Sequence, residues 1–211
     1  MAQQDRAGAA TPKSIRRREK IVECAIALFD RHGYANTSLD DIAKEVGIKR
    51  EGIYYYFKNR AEILLSIILP QSEALIQGLA EIMAADLPPI ERLHRAVRNH
   101  LERFDVHCLE MTVSLRDGYF EDAAEVRDVM NRIWKDYERM WTALIADGQA
   151  SGAFRAQGDP KMLAFGILGM CNWLARWYDP DKSVSIPTLI ESYFDMIAFG
   201  LAADSGSAGQ R

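Results

Sequence analysis

Residues 36–60, NTSLDDIAKEVGIKREGIYYYFKNR, have the pattern of two short helices joined by a tight turn. Ser38 is suited to cap the first helix, and Asp41, three residues later, completes a capping box. The apolar residues that follow have the i, i+3, i+4, i+7 spacing of one helical face: Leu39, Ile42, Ala43 and Val46. Gly47 then marks the turn, because glycine adopts backbone conformations that other residues resist.

The second helix of this unit is expected to run from about Ile48 to Phe57, with Ile53 and Phe57 facing inward. Its outer face combines basic and hydroxyl-bearing side chains: Lys49, Arg50, Tyr54, Tyr55, Tyr56 and Lys58. A helix–turn–helix unit with such a second helix is typical of proteins that bind double-stranded DNA.

The chain from about Arg17 to Leu64 resembles the DNA-binding signature of TetR-family transcriptional repressors. The resemblance is carried by Gly33-Tyr34, Thr37-Ser38, Ile42-Ala43, Val46-Gly47-Ile48 and Ile53-Tyr54-Tyr55-Tyr56-Phe57-Lys58. It implies an all-α fold, with an N-terminal three-helix DNA-binding domain and a C-terminal helical domain for effector binding and dimerisation. It also implies that binding of an effector releases the protein from DNA.

Position 51 departs from the family pattern, which usually has a small residue, often glycine, at this place. The chain has Glu51 there, and the glycine follows at Gly52. Glu51 could accept a hydrogen bond from a cytosine amino group, or it could be a solvent-facing charge. Arg50 is the predicted base contact, because arginine forms paired hydrogen bonds with guanine.

Phosphate contacts set the register of a protein on DNA, and they are predicted for the polar side chains around Arg50: Ser38, Lys49, Tyr54, Tyr55, Tyr56 and Lys58. The tyrosines could instead pack partly against the first helix. The basic cluster from Lys13 to Arg18 could reach a phosphate or the minor groove, or it could be a solvated first helical turn. A two-fold dimer places its second helices in successive major grooves about 34–36 Å apart, so a near-palindromic operator is expected.

The distribution of charge along the chain supports DNA binding better than the net charge of −4 does. Residues 13–60 contain eleven Lys or Arg against seven Asp or Glu, whereas the chain from residue 61 onward contains fourteen against twenty-two. Contact with phosphates is local, so a positive N-terminal part is compatible with an acidic remainder.

The composition predicts a folded cytoplasmic protein. Hydrophobic residues make up 48% of the 211 positions, and no run of eighteen apolar residues lacks a charge or a helix breaker, so neither a membrane span nor a membrane partner is expected. Residues 1–11 lack the apolar region of a signal peptide. The three cysteines are far apart and form no C-x-x-C pair, which indicates a reducing compartment.

Four segments are predicted: a disordered tail over residues 1–12, the DNA-binding domain over 13–60, the effector-binding and dimerisation domain over 61–203, and a disordered tail over 204–211. Besides the helix–turn–helix unit, helices are expected at about 13–32, 61–85, 89–104, 106–117, 121–150, 160–178 and 186–202. Pro70 should kink the segment 61–85, which could provide a hinge or simply follow the core.

The helix expected at 160–178 is apolar nearly all round, and the helix that follows has a similarly broad apolar surface. A soluble helix that is apolar on every side is buried on every side. In a chain of this length, one side of these helices must therefore face another chain. The prediction is a homodimer with a four-helix seam.

The family resemblance implies a small-molecule effector that binds between the C-terminal helices. Candidate lining residues are the large side chains of this part: Met111, Trp134, Trp141, Met170, Trp173, Arg176 and Trp177. The segment 172–180 is similar to TetR-type regulators of fatty-acid and steroid catabolism, several of which respond to acyl-CoA thioesters. Trp173 and Trp177 with Arg176 would suit an apolar tail and an anionic head, or they could pack on the dimer seam with Arg176 ion-paired to an acid.

Other kinds of site are disfavoured. His100, His107 and Glu110 could share a helix face, but no cysteine lies at ligand spacing, so neither a metal nor another cofactor is expected. The sequence has no nucleophile elbow or phosphate loop, which argues against an enzyme. The leading hypothesis is a dimeric repressor released by an apolar or acyl-CoA-type effector. The alternative is an architectural or partner-recruiting DNA-binding protein without a small effector.

Overall fold

The structure is a computed structural model that describes residues 11–103, 124–179, 182 and 184–201. These residues form eight α-helices and no strand. The helices are α1 (Pro12–His32), α2 (Leu39–Val46), α3 (Arg50–Ile53), α4 (Arg60–Ala84), α5 (Pro89–Glu102), α6 (Ala124–Ala150), α7 (Pro160–Asn172) and α8 (Ile186–Leu201). The all-α prediction is confirmed, while the helix expected at 106–117 lies outside the described residues.

Local capping explains where α1 and α2 begin and end. Thr11 caps α1 by accepting a hydrogen bond from the backbone N–H of Ser14, and Gly33, with φ of 77°, ends this helix. Ser38 and Asp41 form the predicted capping box at the start of α2. Gly47 ends α2 in the left-handed conformation, with φ of 77° and ψ of 39°.

The first three helices enclose one small core. Helix α2 packs against both α1 and α3. The buried apolar side chains come from all three helices and the turns beside them: Ile21, Ala25, Leu28, Phe29, Tyr34, Ile42, Ala43, Val46, Ile53 and Phe57. The three-helix arrangement follows from the apolar faces of the sequence.

The predicted extent of the recognition helix, from Ile48 to Phe57, is wrong. Helix α3 covers only Arg50–Ile53, because Lys49 has an extended backbone with ψ of 153° and provides no side-chain cap. Three consecutive tyrosines follow, and aromatic residues lose side-chain freedom in a helix. The chain continues as a turn in which the N–H groups of Tyr56 and Phe57 both donate to the Ile53 carbonyl.

Helix α4 begins one residue before its predicted start and contains Pro70. The described chain divides into two compact units within this helix: unit 1 comprises residues 11–67 and 124–126, and unit 2 comprises 68–103 and 127–201. By length and composition alone, α4 could cross a membrane. One such helix is weak evidence for a membrane span, since the core helix of a soluble protein meets the same test.

Unit 2 is a bundle in which α5 packs against α7 and α8. Its core contains Leu93, Val97, Leu101, Tyr137, Trp141, Ile145, Phe154, Leu168 and Ile190. Asp159 caps α7 by accepting hydrogen bonds from the N–H groups of Lys161 and Met162, and Pro160 occupies the first turn.

The prediction of one helix from 160 to 178 is wrong at its C-terminal end. Helix α7 ends at Asn172, and a single turn of 3₁₀-helix follows from Trp173 to Arg176. The N–H of Trp173 donates to the Gly169 and Cys171 carbonyls, which tightens the chain. A 3₁₀ turn of this kind is common at the C-terminus of an α-helix.

Candidate nucleic-acid interface and effector region

The exposed face of the helix–turn–helix unit contains most of the predicted DNA contacts. Lys49, Arg50, Glu51, Tyr54, Tyr55 and Lys58 are exposed, and Tyr56 is half-buried. Tyr55 has 79% of its surface exposed, whereas Phe57 is fully buried beneath the guanidinium of Arg18, whose carbon lies 4.6 Å from the ring centre. Phe57 therefore anchors this turn and leaves the tyrosines before it accessible.

Arg50 is held by a residue of α2 and by the residue that directly follows α3. Its Nη1 donates to Oδ2 of Asp40 on α2 at 2.7 Å, and its Nε and Nη2 donate to the Tyr54 hydroxyl at 3.2 and 3.1 Å. The Tyr54 hydrogen bond and the negative charge of Asp40 raise the pKa of Arg50. The side chain predicted to contact a base is thus oriented by hydrogen bonds within the chain.

Glu51 is exposed. Within the part of the chain that the structure describes, its carboxylate makes no hydrogen bond or ion pair. Both hypotheses for this residue, a cytosine contact and a solvent-facing charge, therefore stay open.

The Ser38 hydroxyl already makes the hydrogen bonds of the α2 cap. Its hydroxyl donates to Oδ2 of Asp41 at 2.6 Å and accepts from the Asp41 backbone N–H at 3.2 Å. The hydrogen bonds from Ser38 lower the pKa of Asp41, which keeps that carboxylate ionised. A phosphate contact by the Ser38 hydroxyl, which stays a prediction, would have to replace its bond to Asp41.

Arg60 is a structural residue of this unit that the sequence analysis did not identify. Its Nη1 donates to the backbone carbonyls of Tyr34, Ala35 and Thr37, which lie in the loop between α1 and α2. No local sequence pattern marks this contact, because the donor and its acceptors are 23 to 26 residues apart.

The basic cluster at the start of α1 lies on the surface. Pro12, Lys13, Arg16, Arg17 and Lys20 line an open depression there. A set of cations without an acid among them suits phosphate contact, and it also suits a solvated helical turn. Both hypotheses for this cluster stay open.

The seven predicted effector residues differ in burial, and their role stays a prediction. Trp134 and Trp141 are buried in unit 2, whereas Trp173, Arg176 and Trp177 are exposed. Met170 is half-buried and Met111 lies outside the described residues. The described chain therefore separates an internal aromatic group from a surface group.

The internal aromatic group surrounds a buried histidine. Nδ1 of His100 lies 3.0 Å from the Tyr137 hydroxyl, and Nε2 lies 3.1 Å from Oδ1 of Asn172. Rings of Trp134 and Trp141 pack edge-on against Tyr137. These contacts suit a neutral imidazole whose Nδ1 accepts a hydrogen bond from the Tyr137 hydroxyl and whose Nε2–H donates one to Oδ1 of Asn172.

Burial determines how the groups in this cluster ionise. It lowers the pKa of His100 to about 4, against a smaller opposing effect of the Asn172 hydrogen bond. It raises the pKa of the Cys171 thiol to about 12 and also raises the pKa of Tyr137. The cluster is thus uncharged at neutral pH. The sequence pattern suggests only a metal ligand at His100, and the partners expected for it, His107 and Glu110, lie outside the described residues.

Helices α7 and α8 expose an apolar surface. A groove of about 300 Å³ is lined by Met162, Leu163, Gly166, Ile167, Met170, Met196, Ile197, Gly200 and Leu201. Phe199 on α8 is 80% exposed, and Met162 and Met196 are each more than half exposed. An apolar patch of this kind marks an interaction surface.

Comparisons with known proteins match an N-terminal and a C-terminal part of the chain to two models of one family. The family model "Bacterial regulatory proteins, tetR family" matches residues 21–67, and the model "Tetracyclin repressor-like, C-terminal domain" matches residues 86–201. The chain is 26% identical over 188 residues to the HTH-type transcriptional repressor KstR2 of Rhodococcus jostii strain RHA1. That alignment covers 89% of this chain and 92% of the relative.

Two solved structures show the same fold. The ketosteroid transcriptional regulator KstR2 of Mycobacterium tuberculosis superposes with a TM-score of 0.77 at 23% identity, covering 93% of this chain and 99% of that one. AibR, in complex with isovaleryl coenzyme A and operator DNA, superposes with a TM-score of 0.71 at 23% identity. This second match covers 85% of this chain and 97% of AibR.

Proposed function

The chain belongs to the TetR family of transcriptional regulators, which are not enzymes, and we propose on this premise that it is a ligand-responsive repressor. In this proposal, it binds a near-palindromic operator as a homodimer and is released by an apolar or acyl-CoA-type effector. The observation that carries the DNA-binding part is the exposed face of α3, where Arg50 is oriented by Asp40 and Tyr54. The proposed location is the cytoplasm, where the operator is accessible.

Side-chain chemistry indicates which residues would contact bases and which would contact phosphates. Arg50 presents a planar group of donors that matches the acceptors of guanine in the major groove. Phosphates would be contacted by the exposed cations and hydroxyl groups around it: Lys49, Tyr54, Tyr55, Tyr56, Lys58 and, after release from Asp41, Ser38. Glu51 would face a cytosine or solvent. The proposed DNA-binding domain spans residues 13–60.

The proposed dimer uses the apolar surface of α7 and α8. Met162, Phe165, Met196 and Phe199 are each at least 37% exposed in the single chain. Burial of such side chains is favourable by roughly 1.5–3 kcal/mol for each one that becomes fully buried. Two copies related by a two-fold axis would bury the same face of both chains, as a four-helix seam requires. The domain that dimerises and binds the effector would span residues 61–203.

The proposed effector class is supported by the relatives and by the aromatic content of unit 2. AibR was crystallised with isovaleryl coenzyme A and operator DNA. In this chain, Trp134, Trp141 and the half-buried Met170 would contact the apolar part of an effector. Met111 is proposed with them from the sequence alone. Trp173 and Trp177 are exposed and would contact an apolar tail at the surface, where Arg176 would contact an anionic head.

The test begins with selection of bound sites from random duplex DNA by the full-length protein. The selected duplex is then titrated with acyl-CoAs of increasing chain length, with free CoA as the control. We expect a near-palindromic site and its release by an acyl-CoA but not by free CoA. Selection without a dyad would contradict the dimeric operator, and a complex that survives a broad panel of acyl-CoAs would contradict the effector class.

A further inference from the structure

Asp40 lies outside the helix that the proposed function places in the major groove, yet its carboxylate contacts the side chain proposed to read a base. Oδ2 of Asp40 accepts a hydrogen bond from Nη1 of Arg50 at 2.7 Å. The two side chains are 61% and 49% exposed, respectively. The contact therefore lies on the surface that would meet DNA.

A contribution to folding stability does not explain why an acid pairs with Arg50 here. An exposed pair of opposite charges contributes little to the free energy of folding, since solvent screens it and two side chains lose freedom. A carboxylate beside DNA also opposes the phosphates, which weakens binding to every sequence alike. An acid at this position is therefore better explained by what it does to Arg50.

The hydrogen bonds of Arg50 restrict which donors remain for DNA. A guanidinium has five N–H bonds. Three of them are used, by Nε and Nη2 toward the Tyr54 hydroxyl and by Nη1 toward Asp40. One N–H remains on each of the two terminal nitrogens, and a pair of guanidinium donors is what O6 and N7 of guanine accept from.

Holding the guanidinium also reduces the loss of side-chain freedom on binding. A free arginine samples many rotamers and can rotate toward the nearest phosphate. Asp40 and Tyr54 hold Arg50 from two sides, so it can meet a base edge with less ordering at the moment of binding. The negative charge of Asp40 also offsets the attraction of Arg50 to phosphates in general.

We propose that Asp40 is a positioning residue that makes Arg50 selective for guanine. It acts through Arg50 and makes no contact with a base itself. Without Asp40, Arg50 becomes a general cation that binds phosphate as readily as a base. This inference rests on the proposed function, specifically on Arg50 as the base contact.

The test compares Asp40→Asn, Arg50→Ala and the double variant in the full-length protein. Each is titrated at one salt concentration against the selected operator, the same duplex with the contacted guanine replaced by adenine, and a random duplex. Glu45→Gln is the matched control, because Glu45 is an exposed acid on the same helix and pairs with Arg31 instead. Comparing affinity ratios between duplexes cancels the general electrostatic effect of removing one negative charge.

We expect Asp40→Asn to reduce the preference for guanine over adenine by roughly fivefold to tenfold, while binding to random DNA stays equal or strengthens. Arg50→Ala should remove most of the preference, and the double variant should lose no more than Arg50→Ala alone, because both changes act on one contact. Glu45→Gln should leave the preference unchanged.

Two outcomes would overturn the inference, and they differ from failure of the proposed function. If Arg50→Ala relaxes the preference and Asp40→Asn does not, Asp40 has no positioning role. If Asp40→Asn strengthens binding to all three duplexes by the same factor, Asp40 only repels DNA. If Arg50→Ala leaves the preference unchanged, the assignment of Arg50 as the base contact fails, and this inference fails with it.

Discussion

The guanidinium of Arg60 lies over the ring of Tyr34, with its carbon 4.2 Å from the ring centre, while Nη1 donates to the Tyr34 carbonyl at 2.7 Å. The same nitrogen donates to the carbonyls of Ala35 and Thr37. One side chain at the start of α4 therefore binds three carbonyls of the loop that joins α1 and α2. The loop carries Thr37, which is buried and directly precedes the cap of α2.

Replacement of Arg60 by lysine should destabilise unit 1 although the charge is kept. Lysine has no planar group to stack on Tyr34 and cannot reproduce the geometry of the guanidinium bonds. We expect a loss of about 1–3 kcal/mol in the free energy of unfolding. Hydrogen exchange of the amides in α1 and α2 would measure the change. Arg31→Lys is the control, because Arg31 makes an exposed ion pair with Glu45 at 3.8 Å. An equal effect of both variants would contradict the role of Arg60.

The helices of unit 1 could be predicted where local chemistry determines them. Ser38, Asp41 and Gly47 act within a few residues of their own position, so the start and the end of α2 were predicted correctly. The length of α3 was wrong because the apolar spacing of Ile53 and Phe57 is compatible with both a helix and a turn. The extended backbone of Lys49 delays the start of α3 to Arg50, and the turn after Ile53 ends it; no sequence pattern marks either feature.

The contacts that organise the candidate sites could not be predicted, since they join distant residues. Arg50 meets Asp40 across ten positions, and His100 meets Asn172 across seventy-two. Only the tertiary fold brings such partners together, whereas sequence periodicity reports the face of a helix. The exposed face of α3 was predicted because its side chains point away from a core that the apolar residues define.

Lys58 provides a test of the phosphate contacts. It is exposed at the end of the helix–turn–helix unit, where its backbone N–H donates to the Glu62 carboxylate at 2.6 Å. Lys58→Ala should weaken binding to all duplexes by a similar factor and lower the slope of log affinity against log salt by about 1. Titrations of operator and random DNA at several salt concentrations would show this. A loss confined to the operator would mean that Lys58 contacts a base.

Phe199 tests the proposed dimer surface. It is 80% exposed on α8, beside the apolar groove of α7 and α8. Phe199→Asp should shift the protein toward monomers by sedimentation, because a buried carboxylate is strongly unfavourable at a symmetric seam, where it occurs twice. Circular dichroism would confirm that the helices persist. Ile90→Asp on α5 is the control, and equal dissociation of both variants would place the interface elsewhere.

Gly148 tests the packing at the end of α6. A Cβ at this position would lie 2.0 Å from the ring of Phe154, which is 1% exposed. Gly148→Ala should therefore destabilise unit 2 by about 1–3 kcal/mol despite the higher helix propensity of alanine. Urea unfolding would measure this. Phe154→Leu in the Gly148→Ala background should recover part of the loss, and strictly additive effects would show that the two positions do not interact.

His100 should make the stability of unit 2 depend on pH. Its pKa is about 4 in the folded protein against an ordinary value of 6.5, so the unfolded chain binds more protons between these values. The contribution of the neutral ring is complete above pH 6.5 and is lost as the pH falls toward 4. Between pH 7 and pH 5, the loss should be about 2 kcal/mol.

Urea unfolding at pH 7 and pH 5 would separate this effect from the titration of carboxylates, if wild type is compared with His100→Gln. Glutamine has one donor and one acceptor for Asn172 and Tyr137, but it does not titrate. We expect the variant to be less stable than wild type at pH 7. Between pH 7 and pH 5, its free energy of unfolding should fall by about 2 kcal/mol less than that of wild type. The same loss of stability in both proteins would mean that His100 is protonated at no cost. The description of His100 as a buried neutral ring would then be wrong.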